Sequence, residues 1–330
     1  MENPKLPIYC QLSFLLKFIQ NRPNHKPDSL IESKEEKIWN KFSEMIFQNT
    51  KVFIDADYAQ IEKNKNETKF LVKQFSESVE IEHVNFDEIR LDLLDIHTIF
   101  LVDNDKYRYE NYGYVSISID DLYTNCLISE IEDTHFSFEN KLFDGWEELE
   151  KYNHPCNFMI ISDNYILDNK DLVEENLMKI LKHWLPKSIQ NGKFQLIIIT
   201  DNSKDRNQTK YDAEARFKYL EEIINRDDIN VKILFNAKTN RFFKQHGRNI
   251  ITNYFQIYCG QGFSIFKDGV CQISDTFFLK SIINRNTYIN ILNIEKQCAE
   301  IENKAKNIGS QIDTMPDDKE KIISNLLIHS

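Results

Sequence analysis

Short apolar, β-branched runs that end in an acidic or amide residue recur along this chain. They are KVFIDADY (51–58), TIFLVDND (98–105), NFMIISDNYI (157–166) and FQLIIITDN (194–202), with VKILF (231–235) a shorter companion. Consecutive Ile, Val, Leu and Phe without alternation read as strands buried on both faces. Helical stripes recur between them. One carries Trp39, Phe42, Met45 and Ile46; a second carries Val173, Leu177, Ile180, Leu181 and Trp184; a third carries Phe217, Leu220 and Ile224. Buried strands alternating with amphipathic helices build a mostly parallel sheet with helices on its faces. The expected fold class is α/β.

The pattern runs twice. Residues 1–125 predict a smaller N-terminal α/β unit, in which 8–20 (IYCQLSFLLKFIQ) is helix or strand and 112–118 (YGYVSIS) is a third strand. Residues 126–156 are irregular and acidic and read as a linker. The alternation restarts over 157–285, where NIITNY and FQIYCG read as paired strands. Residues 286–330 form a C-terminal helix, over 287–307, and a polar tail. Apolar residues make up 41% of the 330 and aromatics 12%, which supplies a real core and excludes a disordered chain. The net charge of −11 disfavours a general nucleic-acid binder but leaves a local basic patch open. The six cysteines form no C-x-x-C pair, and neither glycine-rich nucleotide loop is present. No apolar run approaches the ~18 residues of a membrane span, and the opening residues MENPKLPIYCQ lead us to expect no signal peptide. A reduced, cytoplasmic protein is expected, with the Lys, Asn and Ile usage of an AT-rich, bacterial genome.

Three of the eight glycines fall in one segment, QHGRNIITNYFQIYCGQGFSIF. Glycine clusters mark places where the backbone bends or approaches something closely. Here they follow a histidine and an arginine, side chains suited to attack or grip phosphate. His246, Arg248 and Asn253 have the spacing H-x-R-x-x-x-x-N, with Gly260 seven residues on. This resembles the H-x-K-x-x-x-x-D signature of the phospholipase D superfamily. The segment also resembles the H-D-R-x-I-x-x-N…I-x-x-G-x-G-x-x-x-F pattern of the C-terminal phospholipase-D-like domain of MIT-domain proteins and bacterial relatives. His246, Arg248, Ile250, Asn253, Ile257, Gly260, Gly262 and Phe266 fall on that pattern, with one residue deleted between Asn253 and Ile257. The resemblance covers residues 155–285 and leaves 1–125 unexplained.

The resemblance implies a mixed sheet flanked by helices. It implies His246 as nucleophile, Arg248 as phosphate clamp with Gly260 and Gly262, and Asn253 as the residue that orients an imidazole. Arginine replaces the family's lysine, asparagine its aspartate, and one histidine motif is present where a complete site needs two. A complete site would therefore require a homodimer. These departures favour binding over turnover. The plainer reading of His246 and Arg248 is a motif retained because it closes a strand.

Asp55, Asp57, Asp103 and Asp105 end two N-terminal strands, where a Mg²⁺ site of the kind used by PIN-type nucleases would lie. Solvated loops with helix caps are the plainer reading. Asp163 and Asp201 have the same placement in the second half, and face the His246 pocket if the resemblance holds. The expected function is a binding or assembly component of a bacterial antiviral-defence or nucleic-acid-processing system, with protein partners or a homodimer, nucleic acid as a further ligand and no cofactor. The alternatives are a dimeric, metal-independent nuclease or phosphodiesterase using His246, and a Mg²⁺-dependent nuclease built on the N-terminal aspartates.

Overall fold

A computed structural model describes residues 4–23, 32–56, 79–129, 134–137, 143–167, 170–187, 193–201, 219–220, 222, 224–236, 248–271, 276–308 and 313–314. The protein is mixed α/β, with one parallel and one mixed sheet, both flanked by helices.

The first sheet holds β1 (Leu6–Gln11), β2 (Thr50–Asp55), β3 (Glu80–Val84), β4 (Ile99–Leu101) and β5 (Val115–Ile117). Their order is β3-β2-β1-β4-β5, and every neighbouring pair is parallel. The apolar stretch at 8–20 divides without punctuation into β1 and helix α1 (Leu12–Gln20), which buries Phe14, Leu15 and Phe18 on one face. Helix α2 (Lys34–Phe47) starts at a capping box, in which Glu36 N donates to Ser33 Oγ and Ser33 N to Glu36 Oε2. Its buried face carries the predicted Trp39, Phe42, Met45 and Ile46.

The stretch read as a linker carries structure. After a short helix, α3 (Cys126–Ser129), comes β6 (Thr134–Ser137), which pairs with the edge of the second sheet. A 3₁₀ helix at Trp146–Tyr152 then buries Trp146, Leu149 and Tyr152. These apolar anchors, spaced three apart among acidic residues, hold the segment down.

The second sheet runs through β7 (Phe158–Ser162), β8 (Phe194–Asp201), β9 (Ile229–Asn236), β10 (Arg248–Thr252), β11 (Phe255–Cys259), β14 (Thr276–Ser281) and β15 (Asp313–Thr314). Its order is β15-β9-β8-β7-β10-β11-β14-β6. The β7, β8 and β9 strands are mutually parallel, and β10 and β11 form the antiparallel pair expected from NIITNY and FQIYCG. A small ribbon, β12 (Phe266–Lys267) with β13 (Val270–Cys271), stands apart. One face of the sheet packs on helix α4 (Met178–Trp184) and the 3₁₀ helix, joined where Trp184 Nε1 donates to Leu149 O. The other face meets helix α5 (Arg285–Ile308) through Ile291 and Cys298 against Phe158, Ile160, Ile197, Ile199 and Ile251. The two halves share one hydrophobic core. Polar contacts reinforce the junction: Tyr254 Oη donates to Thr98 O and accepts from Val115 N.

Candidate functional site

Strand register assembles the neighbourhood of Arg248. It opens β10, opposite Cys259 of β11, while the next residue, Asn249, stands opposite Ser162 of β7. Asp163, just past the end of β7, and Gly260, just past β11, are thereby brought to the same edge. Asp163 is buried, with 1% exposure, and both its oxygens are engaged. Oδ1 accepts from Tyr165 N at 2.8 Å and Oδ2 from Phe263 N at 2.6 Å. Arg248 Nε lies 3.6 Å from Asp163 Oδ1, an ion pair outside hydrogen-bond length. Arg248 Nη1 donates to the Gly260 carbonyl at 2.6 Å, and the guanidinium carbon sits 5.3 Å from the centre of the Tyr165 ring.

Gly262 completes this packing. Its φ of +109° is one that only glycine adopts freely, and a Cβ there would lie 2.6 Å from Asp163 Oδ2 and 2.7 Å from Arg248 Cδ. The arrangement braces three loops around a nearly buried charge pair. A buried carboxylate is tolerable when its lone pairs are filled and a cation stands beside it, as here. Arg248 Nη2 has no hydrogen-bond partner among the described residues.

Asn253 lies elsewhere. It sits in the turn after β10, on the order of 15 Å from Arg248 at the rise of a strand. It is fully buried. Its Oδ1 accepts from Asn157 N and Phe158 N, each at 3.1 Å, and its Nδ2 donates to Ile96 O at 2.6 Å and to Asn157 Oδ1 at 2.8 Å. Every hydrogen-bonding position of the amide is occupied, so its place in the structure is a clamp between the N-terminal half and the start of β7. His246 and Gly247 lie outside the described residues. Asp201 ends β8, beside Asn236 of β9.

Among the described N-terminal aspartates, Asp55 is set apart from Asp103 and Asp105. Strand order sets β1 between β2 and β4, so Asp55 and Asp103 fall on opposite sides of it, and β1 ends in Gln11. Asp55 Oδ1 accepts from Phe86 N, Asp103 pairs with Lys17 at 2.7 Å, and Asp105 pairs with Arg108 at 3.1 Å. Asp57 lies outside the described residues. Among the described residues no three His, Cys, Asp or Glu side chains are grouped so as to hold a metal ion.

Two histidines without ligand spacing in the sequence prove to be buried joints. His97 Nδ1 contacts Asn253 O at 2.6 Å, and its Nε2 lies 3.0 Å from Glu295 Oε1 of α5, an ion pair that is off the line of a good hydrogen bond. Burial opposes the charge on His97, but the Glu295 and Asp95 carboxylates and the Asn253 carbonyl together outweigh it and lift the pKa to about 9. His154 bridges Tyr152 O and Thr252 Oγ1, and burial pushes its pKa down to about 4. No helix among the described residues is long and apolar enough to cross a membrane. The chain matches no protein-family model and no curated protein.

Proposed function

We propose that this chain is a binding or assembly component whose C-terminal half keeps a phospholipase-D-like frame with a degenerate phosphodiester site, serving bacterial antiviral defence or nucleic-acid processing. The observation that carries the reading is the engagement of Arg248. A catalytic phosphate clamp needs an arginine whose fork is free to meet two oxygens. Here one terminal nitrogen is held by the Gly260 carbonyl and the Nε edge faces buried Asp163. The antiparallel β10–β11 pair set beside parallel β7, β8 and β9 supports the frame. Asn253, engaged at four hydrogen bonds, supports a scaffold over an imidazole-orienting residue.

A second reading keeps a metal-independent phosphodiesterase, complete only in a dimer, with His246 as nucleophile. Arg248 Nη2, without a hydrogen-bond partner among the described residues, favours it. The purified protein separates the two when incubated with DNA, RNA and a chromogenic phosphodiester, with and without EDTA. The binding reading expects no turnover at high protein concentration. Turnover that survives EDTA and disappears in His246→Ala would establish the second. Turnover lost with EDTA and in Asp55→Ala would point to the N-terminal aspartates.

A further inference from the structure

Helix α5 is held on the second sheet by one apolar stripe and one charged joint. Ile291 and Cys298 pack on Phe158, Ile160, Ile197, Ile199 and Ile251, with Ile294 partly buried beside them. The opposite side of the helix, with Asn293, Lys296, Gln297 and Glu300, is exposed. The joint pairs Glu295, three residues before Cys298, with His97 from the loop ahead of β4.

Hydrogen-bond roles fix where a proton must sit in this joint. His97 Nδ1 lies 2.6 Å from the Asn253 carbonyl, which can only accept, so Nδ1 carries a hydrogen. A neutral imidazole has just one N–H. Its Nε2 would then turn a lone pair toward Glu295 Oε1 at 3.0 Å, acceptor against acceptor. His97 is buried, so water does not relieve that contact. The docked helix therefore requires a proton between the two groups. The surroundings favour placing it on the ring. Asp95, from the same loop as His97, adds a second negative charge. Tyr288 of α5 packs edge-on, with ring centres 5.8 Å apart. Burial pushes its hydroxyl up, as it does those of Tyr254 and Tyr114 near Asp95, so all three phenols stay neutral.

Polar groups beneath α5 are poorly met. Among the described residues, six buried side-chain atoms lack a hydrogen-bond partner. Four of them belong here: His97 Nε2 and Glu295 Oε1 in the joint, and Gln195 Nε2 and Gln256 Oε1 on the same face of the sheet. Gln195 stands beside Phe158 and Gln256 beside Ile251, two residues that α5 covers. A buried donor or acceptor without a partner carries its full desolvation cost, and water removes that cost once the helix moves away. This offsets part of the apolar exposure that lifting the helix brings. Elements balanced in this way open before the rest of a fold.

We propose that α5 is a proton-latched cover: it stays docked while His97 and Glu295 share a proton, and it lifts as a unit, ahead of global unfolding, when that proton leaves. The latch is fully engaged below the value of a free histidine, about 6.5. It weakens as pH rises to about 9, the pKa of the docked ring. Across that window each opening releases one proton, so the open fraction rises about tenfold per pH unit.

Thiol labelling of the full-length protein with N-ethylmaleimide, read cysteine by cysteine by mass spectrometry from pH 6.5 to 9, tests this. Cys298 is buried under α5, and Cys156 and Cys259 are buried in the main core. Part-exposed Cys126 serves as the reference for the ordinary rise of thiol reactivity with pH. Relative to Cys126, labelling of Cys298 is expected to rise about tenfold per pH unit, while Cys156 and Cys259 stay protected. In Glu295→Gln the amide can donate to a neutral Nε2, so the latch needs no proton and the ratio should stay level. Ile291→Ala loosens the seat without touching the joint and should raise Cys298 labelling at every pH with the parent's slope. Continued protection of Cys156 and Cys259 will show that each variant is folded. A level ratio in the parent, Cys298 labelling that rises only together with Cys156 and Cys259, or a profile unchanged in Glu295→Gln would each overturn the proposal.

Discussion

Replacing Asn253 distinguishes a clamp from a reacting residue. Asn253→Ala leaves three peptide groups without their partner: the buried N–H of Phe158, and the part-buried N–H of Asn157 and carbonyl of Ile96. Each unsatisfied group costs about 1–3 kcal/mol, and neighbouring losses add incompletely. We expect a loss of about 3–5 kcal/mol, a large fraction of the 5–15 kcal/mol that stabilises a typical protein. Asn253→Asp is the sharper test, because aspartate is the residue of the phospholipase D signature. A carboxylate still accepts from Asn157 N and Phe158 N. Its second oxygen, however, faces the Ile96 carbonyl and Asn157 Oδ1, where Nδ2 now donates. Two acceptors would then meet a buried charge, so we expect destabilisation of a few kcal/mol. Urea unfolding followed by circular dichroism reads both variants, with the midpoint falling by about 1 M or more. An aspartate variant as stable as the parent, or one that gains phosphodiesterase activity, would refute the clamp.

Gly262→Ala should cost about 2 kcal/mol or more, because the new Cβ meets Asp163 Oδ2 and Arg248 Cδ in a left-handed backbone conformation; thermal unfolding checks it, and an unchanged melting temperature contradicts it. His97, with its pKa raised to about 9 in the fold, contributes stability that is complete below its unfolded value and is lost as pH rises through 9. The contribution is on the order of 3 kcal/mol, and unfolding measured from pH 6 to 10 should show it in the parent but not in Glu295→Gln. His154 has the opposite sign. Its pKa is depressed to about 4, so its contribution is complete above the unfolded value and is lost as pH falls toward 4; His154→Gln should flatten acid unfolding over that interval.

The buried strands were legible because unbroken β-branched runs suit few other environments, and β2, β4, β7, β8 and β9 lie within or across the predicted runs. Helix α2 was legible from its stripe. Pairing at a distance was not. The sequence at 134–137 is too short and polar to announce β6, which exists because β14 offers an open edge. The split of 8–20 into β1 and α1 has no Gly or Pro to mark it. Strand order is equally silent in the sequence, and it is strand order that separates Asp55 from Asp103. Arg248 and Gly262 were visible as a motif, and Asp163 as a strand end. Their meeting depends on register between β7 and β10, strands 86 or more positions apart in the chain. The four-bond embrace of Asn253 likewise depends on residues from both halves.

A double-mutant cycle across Arg248 and Asp163 tests the central claim most directly. Arg248→Met and Asp163→Asn are made singly and together, and unfolding free energies are compared with phosphodiester binding. The brace predicts that the single changes each cost several kcal/mol, as expected when one member of a buried pair is left alone, with a coupling energy of about 2–3 kcal/mol. A coupling near zero, with Arg248→Met as stable as the parent but devoid of phosphodiester binding, would contradict the account and return Arg248 to the role of a phosphate clamp.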